Sequence, residues 1–268
     1  MDNLRSKGPR LVNPGTSGLN SFFLKVYSYM GMALLVTAAT VFIGVTMFAQ
    51  QILALTTGIV PTLVLFAILF GISWVAARSA MDNPARSFGL LMAYSVIMGL
   101  FFTSILLYMT PQTIILAFIT TAALFMGMAL YGATTKRDMS KMGTIVFGAV
   151  FALIIGGLLN IFIGGTVLYM LISWAGVVIF AIITAYDMNR LKQMYVQIAG
   201  NHQAEQGVAV YGALSLYLDF INLFLYILRI FGMSSNNNRG IMSGVKFSIS
   251  LPGRFSKTVF NLPISDVT

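Results

Sequence analysis

Seven long stretches of apolar residues, separated by short polar connectors, make up most of this chain of 268 residues. Each stretch is close to the ~20 apolar residues that a helix needs to cross a bilayer. The stretches are continuous rather than alternating, which favours helices over the strands of a barrel. The sequence therefore predicts an all-α integral membrane protein with seven transmembrane helices. The predicted spans are Val26–Phe48, Ile59–Ala80, Phe88–Tyr108, Thr113–Ala133, Thr144–Ile163, Thr166–Tyr186 and Val208–Ile230.

Composition supports a membrane location. Charged residues make up 9% of the chain, hydrophobic residues make up 58%, and the mean hydropathy is +0.88. A soluble domain carries roughly 25% charged residues, so most of this surface must face lipid. The net charge of +9 could suggest a nucleic-acid partner. However, the basic residues flank the apolar stretches, which membrane topology explains better, and we expect no nucleic-acid binding.

The distribution of lysine and arginine predicts the orientation. The connectors Gln50–Gly58, Met109–Gln112 and Gly164–Gly165 contain neither residue. The other side carries Arg5, Lys7, Arg10, Lys25, Arg78, Arg86, Lys136, Arg137, Lys141, Arg190 and Lys192. The positive-inside rule then predicts a cytosolic N-terminus in a cell (inner or plasma) membrane. Seven spans place the basic C-terminal tail outside, against this rule, so either the tail is tolerated there or one stretch does not fully span the membrane. We retain seven spans.

The chain divides into three predicted parts. Residues 1–25 are polar and rich in glycine and proline, so we expect a flexible cytosolic arm. Residues 26–232 form the membrane domain. Residues 233–268 begin with a run of serine and asparagine and show little periodicity, which is typical of a disordered tail.

Several kinds of chemistry are missing from the sequence. There is no cysteine, which excludes thiolate catalysis, disulfides and cysteine metal sites. The single histidine, His202, lies in a polar loop, where solvation is its ordinary role. No phosphate-binding loop, dinucleotide fingerprint or zinc-protease motif is present. We therefore expect no enzyme, no catalytic residue and no cofactor, while secondary transport of an unknown solute stays open.

The polar residues inside the spans are the candidates for function. Of the seven acidic residues, only Asp187 and Asp219 lie within or at the end of a span, where a charge costs at least about 2.5 kcal/mol at the helix centre. Steps of three and four residues place a polar stripe on one face of the last helix. This stripe cannot face lipid cheaply, so we expect the last helix at the centre of the bundle. The stripe contains Gly212, Ser215, Asp219, Asn222, Tyr226 and Arg229.

The heights of the two aspartates decide whether they meet. The predicted spans leave Asp187 and Asp219 roughly 15 Å apart in height at 1.5 Å per residue. If both helices extend into the cytosol, the two carboxylates reach a similar depth. A pair in contact would titrate as a unit. Protonated, it would share a hydrogen bond; ionised, it would repel itself and attract a cation such as Ca²⁺. Arg78, at the cytosolic end of the second span, could bridge to one carboxylate, or merely reach the interface or pair with Asp82.

The last helix carries a recognisable signature. Its residues 212–229 read Gly-Ala-Leu-Ser-Leu-Tyr-Leu-Asp-Phe-Ile-Asn-Leu-Phe-Leu-Tyr-Ile-Leu-Arg, and closely resemble the last helix of the Bax inhibitor family, also called the transmembrane Bax-inhibitor-motif family. The end of the sixth span, Ala-Tyr-Asp at 185–187, is also similar to that family. The resemblance covers roughly residues 20–232 and fits the bacterial branch. The tail after Gly232 departs from the family pattern, since its members usually stop soon after the last helix.

The resemblance implies a fold and an activity. The expected fold has six helices in two triplets around a central seventh, and the expected activity is a pH-sensitive Ca²⁺ leak. The implied pH sensor is the pair Asp187 and Asp219, which would also bind Ca²⁺ transiently, with Arg78 hydrogen-bonded to the pair.

Two further functions stay open beside the channel. Bacterial members of the family are linked to a membrane-anchored protease, so the protein could be an interaction partner that modulates such a protease. This function does not require the aspartates to titrate. An intramembrane aspartyl protease also uses two acids, which activate a water. However, residues 216–219 read Leu-Tyr-Leu-Asp instead of the Gly-x-Gly-Asp of those proteases, and the chain lacks their Pro-Ala-Leu motif.

Overall fold

The computed structural model of the chain describes residues 16–56, 58–137, 139 and 142–244. These residues form helices and short connectors without any strand. All helices except the short α2 are long and apolar enough to cross a membrane, which confirms the predicted all-α fold with seven spans. The helices are α1 (Thr16–Met47), α2 (Ala49–Thr56), α3 (Ile59–Ser79), α4 (Pro84–Leu106), α5 (Pro111–Thr134), α6 (Met142–Ile163), α7 (Thr166–Ile198) and α8 (His202–Gly244).

Two spans begin with the same local signal. The side chain of Asn83 accepts a hydrogen bond from the backbone N–H of Arg86, and Pro84 lies in the first turn of α4. Thr110 and Pro111 form the equivalent start of α5. The capping oxygen satisfies a backbone N–H that has no partner within the helix, and proline is preset for the first helical position. These residues explain why such short connectors suffice between spans.

Helix α2 was not expected from the sequence, which predicted only a connector over Gln50–Gly58. Its Ile52 is buried, and the hydroxyl groups of Thr56 and Ser104 of α4 are hydrogen-bonded to each other. Helix α2 therefore packs across the ends of α1, α3 and α4.

The first and last helices are longer than the sequence indicated. Helix α1 begins at Thr16, so it includes residues that we placed in the flexible arm. Helix α8 continues to Gly244, so residues 233–244 are helical, which corrects the predicted start of the disordered tail. The remaining predictions for the arm and the tail fall on residues 1–15 and 245–268, which lie outside the described residues.

Helices α7 and α8 both extend past the apolar stretches from which they were predicted. Helix α7 contains 33 residues, about 50 Å at 1.5 Å per residue, while a bilayer core is about 30 Å thick. It continues past Asp187 to Ile198, and α8 begins at His202 rather than at Val208. These extensions are the condition under which the two aspartates reach a similar depth.

Helix α8 lies at the centre of the bundle. In its most apolar stretch it buries 72% of its residues, whereas α6 buries only 6%. It packs against α7, α5, α1, α4 and α3. Among the other spans, α4 joins α1 to α3, and α7 joins α5 to α6. The polar stripe thus predicted the central position of α8 correctly. The arrangement of the other six spans in two triplets stays a prediction, because α1 and α3 are joined mainly through α4, and α5 and α6 mainly through α7.

A buried hydrogen-bond network fastens α8 to α1 and α4 on the side opposite the stripe. The hydroxyl group of Tyr217, which is fully buried, lies 2.7 Å from that of Thr37. Thr37 also lies within hydrogen-bond distance of the backbone oxygen of Ser95, at 3.2 Å. The Tyr217 ring packs edge-on against Tyr94, with centroids 5.8 Å apart. Buried hydroxyl groups need such partners, so this network specifies how the three helices pack.

Helices α5 and α7 approach closely at a glycine. A Cβ atom added to Gly132 would collide with the backbone oxygen and Cα of Ala185. Just beyond, the Nζ atom of Lys192 donates a hydrogen bond to the backbone oxygen of Ala133, at 2.9 Å. A small residue lets two backbones meet. The contact fixes the height of α7 at Ala185, two residues before Asp187.

We predict that Gly132→Val lowers the thermal stability of the purified protein in detergent. The new side chain would collide with the backbone of Ala185, which cannot move aside as a side chain can. We therefore expect the free energy of unfolding to fall by about 1–3 kcal/mol. The matched control is Gly127→Val on the same helix, where an added Cβ meets nothing within 4 Å, and we expect a change within about 0.5 kcal/mol. Equal melting temperatures for the two variants would contradict this packing.

Candidate functional site

The polar stripe of α8 faces α7, and a hydrogen bond sets the register of the two helices. The hydroxyl group of Ser215 donates to the Oδ2 atom of Asp187. One turn away, Gly212 lies against the side chain of Leu191. Asp219 follows Ser215 by four residues, about 6 Å along the helix. The carboxylates therefore lie about one turn apart in height, and the larger separation derived from the apolar stretches is corrected.

The two carboxylates have different surroundings. Asp219 is 5% exposed, and its Oδ2 atom is buried without a hydrogen-bond partner. Asp187 is partly exposed and accepts the bond from Ser215. The charges of the two groups are close enough to interact. Buried polar atoms almost always have partners, so the unpaired oxygen of Asp219 marks a candidate functional site.

Aromatic residues occupy the far end of the stripe. The ring of Tyr226 stacks on Phe180 of α7, with centroids 5.7 Å apart, and packs against Gly176, where an added Cβ would collide with the ring. The guanidinium group of Arg229 lies 5.2 Å from the Tyr226 ring and 5.7 Å from the ring of Tyr169. These contacts are structural, because they hold α7 and α8 together and stabilise a cation near the end of the span.

A cavity of about 540 Å³ lies beside Asp219, between α6, α7 and α8. Its polar lining comes from Asp219 and Asn222 of α8 and from Tyr186 and Arg190 of α7, and the rest of the wall is mostly apolar. The side-chain amide of Asn222 donates to the backbone oxygen of Leu218, at 2.7 Å, so its N–H group is satisfied within its own helix.

Arg78 does not join the aspartates. Its guanidinium carbon lies 4.7 Å from the centroid of the Trp74 ring. Among the described residues, no hydrogen bond or ion pair connects Arg78 to Asp187, Asp219 or Asp82. Trp74 is 53% exposed, so the arginine rests on a lipid-facing ring near the interface, as a long basic side chain does. The expected partnership of Arg78 with the pair is therefore corrected for this structure.

Arg190 is the basic residue beside the two acidic residues, and it was not predicted from the sequence as part of the site. It follows Asp187 by three residues on α7, interacts electrostatically with that carboxylate and lines the cavity. Tyr211 of α8 lies 5.9 Å from its guanidinium group and is close enough to interact with both carboxylates. The three-residue spacing from Asp187 to Arg190 was the available signal, because such residues are neighbours on a helix.

The fold and the site together define a polytopic helical membrane protein whose last two spans each carry an acidic residue, Asp187 bonded to Ser215 and Asp219 buried one turn further along. Residues 19–236 match the family described as Inhibitor of apoptosis-promoting Bax1. The chain belongs to this Bax inhibitor family.

The curated relatives include bacterial membrane proteins of similar length. The protein YrjE of Lactococcus lactis is 42% identical over 223 residues, which are 83% of this chain and 94% of the relative. The inner membrane protein YbhL of Escherichia coli K12 is 35% identical over 217 residues, 81% of this chain and 93% of the relative. A protein of Borreliella burgdorferi is 36% identical over 223 residues, 81% of this chain and 94% of the relative. Together with the seven apolar helices, these likenesses support a multi-pass membrane protein.

We predict that Ser215→Ala lowers the melting temperature of the purified protein. It removes the hydrogen bond that joins α8 to Asp187, and a bond to an acidic group contributes about 1.5–3 kcal/mol. Ser173→Ala is the matched control, because the buried hydroxyl group of Ser173 bonds to the backbone oxygen of Tyr169 within its own helix. A Ser215→Ala variant as stable as the control would show that this bond does not set the register.

Proposed function

We propose that this protein is a pH-sensitive Ca²⁺ leak channel whose gate is the pair Asp187 and Asp219. The observation that carries the proposal is the bond from Ser215 to Asp187, which sets that carboxylate about one turn from the buried Asp219. Membership in the Bax inhibitor family supports the same function. Ionisable groups inside a bundle are expensive and are therefore commonly functional.

The gate couples protonation to the packing of two helices. Two negative charges in a dry site repel each other, so the pair gains and loses protons as a unit. A protonated pair keeps α7 and α8 together. An ionised pair repels itself, loosens this contact and attracts cations. Among the described residues, the other titratable groups near the pair are Arg190 and Tyr211, with Tyr186 beside Tyr211, so the local field at the gate depends on one permanent positive charge.

The donor set suits the passage of Ca²⁺ rather than its storage. Ca²⁺ takes about 6–8 oxygen ligands. The pair, the hydroxyl group of Ser215 and the amide oxygen of Asn222 supply four oxygens when each residue binds through one atom, so water must complete the shell. In the part of the chain that the structure describes, no three acidic or histidine side chains come together as a candidate metal site. The cation therefore binds transiently, as conduction requires.

We also propose an orientation for the protein in the membrane. The basic residues that follow Asp187 on α7, Arg190 and Lys192, belong to the side that the positive-inside rule assigns to the cytosol. The N-terminus then lies in the cytosol, and the pair lies in the cytosolic third of the bilayer. The gate is thus exposed to the pH of the cytosol rather than to that of the outside.

We predict that Ca²⁺ influx into proteoliposomes rises between about pH 5 and pH 8 as the pair ionises. Asp187→Asn and Asp219→Asn remove one carboxylate each without changing the shape of the side chain, so influx should become independent of pH in both variants. Influx is measured with an entrapped calcium dye, and protein-free liposomes provide the baseline. If a correctly folded protein shows no Ca²⁺ leak at any pH, the channel function is wrong. The alternative function, a partner that modulates a membrane-anchored protease, is then favoured.

We also predict different effects of the two arginines. At about pH 8, where the proposed pair is ionised, Arg190→Gln removes the positive charge beside it and should raise Ca²⁺ influx by about threefold or more, because this charge repels cations. Arg78→Gln, on the Trp74 ring, is the matched control and should leave influx unchanged. The reverse order of effects would show that Arg78, and not Arg190, acts on the pair.

A further inference from the structure

The cavity beside Asp219 opens towards the lipid. Helix α6 packs on α7, while no comparable packing joins α6 to the central α8 among the described residues. Phe147 and Ile154 of α6 line the cavity and are also 76% and 55% exposed. The same side chains thus form the wall of the cavity and the surface that faces the bilayer. A ligand dissolved in the membrane can enter sideways between α6 and α8.

The chemistry of the cavity selects a particular kind of ligand. Its inner side carries the carboxyl group of Asp219, whose Oδ2 atom is buried and unpaired. Its walls are mostly apolar, with the rings of Phe180 and Tyr226 among them. Pockets of roughly 300–1,000 Å³ with apolar walls and a few convergent polar groups are typical of sites for small molecules. A positive group would pair with Asp219 and face the aromatic rings, which attract cations.

Other ligands fit this cavity less well. An anion would meet the carboxyl group of Asp219, and a plain hydrocarbon chain would leave the Oδ2 atom unpaired. Arg190 lines the cavity, is itself exposed and repels cations that arrive from its side. A cation with an apolar body avoids this barrier, because it can partition into the bilayer and reach Asp219 past α6. We infer that the cavity between α6, α7 and α8 binds lipophilic amines, with the ammonium group on Asp219 and the apolar body against α6.

This site goes beyond the proposed leak. It needs one unpaired carboxyl group and an apolar pocket, and it needs neither conduction nor a second carboxylate. Its test is a binding measurement on the full chain, so a failure of binding and a failure of Ca²⁺ influx are separate results. An occupied cavity would cover Asp219, so a bound amine should also reduce any Ca²⁺ leak through the pair.

The probe is radiolabelled 1-adamantylamine, a compact primary amine, added to the full chain in lipid nanodiscs. Empty nanodiscs measure its partitioning into lipid, and unlabelled 1-adamantanol, of similar shape without the charge, serves as competitor. We expect saturable binding at one site that the alcohol does not displace. Asp219→Asn should weaken binding by at least about tenfold, since it removes the buried charge partner.

Two variants that fill cavities locate the site without touching the carboxyl group. Val150→Phe fills the cavity beside Asp219 and should abolish saturable binding. Ala38→Phe fills a separate apolar groove of about 760 Å³ between α1, α4, α5 and α8 and should leave binding unchanged. Full binding to Asp219→Asn or to Val150→Phe, or loss of binding only in Ala38→Phe, would overturn the proposal. Melting temperatures establish that each variant is folded before binding is compared.

Discussion

A polar stripe on a helix that must cross a hydrocarbon layer is the constraint on which the rest of this structure depends. Lipid offers no hydrogen bonds, so the polar side of α8 has to be covered by protein. The bundle meets this requirement by surrounding α8, and the stripe lies against α7 from Gly212 to Arg229. The opposite side of α8 carries Tyr217, whose hydroxyl group bonds to Thr37 of α1. Polar contacts on two sides thus fix both the position and the rotation of the central helix.

The same constraint produces the candidate site. Aligning α7 with α8 places Ser215 on Asp187 and brings Asp219 into the interior one turn further along. Gly132 supports this height from the other side, because α5 approaches the backbone of α7 at Ala185. The result is one carboxyl group that has a partner and one that has an unpaired buried oxygen. The unpaired oxygen of Asp219 is the feature on which both the proposed gate and the proposed amine site rest.

The periphery differs from the centre in a way that matters for access. Helix α6 is held mainly by α7 and exposes most of its apolar surface. It covers one side of Asp219 without packing closely on α8, so the cavity remains between them. On the far side, α1, α4 and α8 are joined by buried hydroxyl groups. The side of the bundle formed by α1, α4 and α8 is therefore fixed by buried hydrogen bonds, whereas the side formed by α6 is not. Asp219 lies on the α6 side, next to the cavity.

The sequence by itself determined the spans, the central helix and the two acidic residues, because hydrophobic length and helical periodicity are properties of a single segment. Only the tertiary structure decided the height of Asp187 relative to Asp219, since periodicity gives the face of a helix and not its shift along a neighbour. It also places Arg78 on the Trp74 ring and Arg190 near Asp187, which the sequence alone could not show because a long basic side chain can reach several partners. Helix α2 and the cavity beside α6 likewise arise from contacts between segments distant in the chain, which no local pattern encodes.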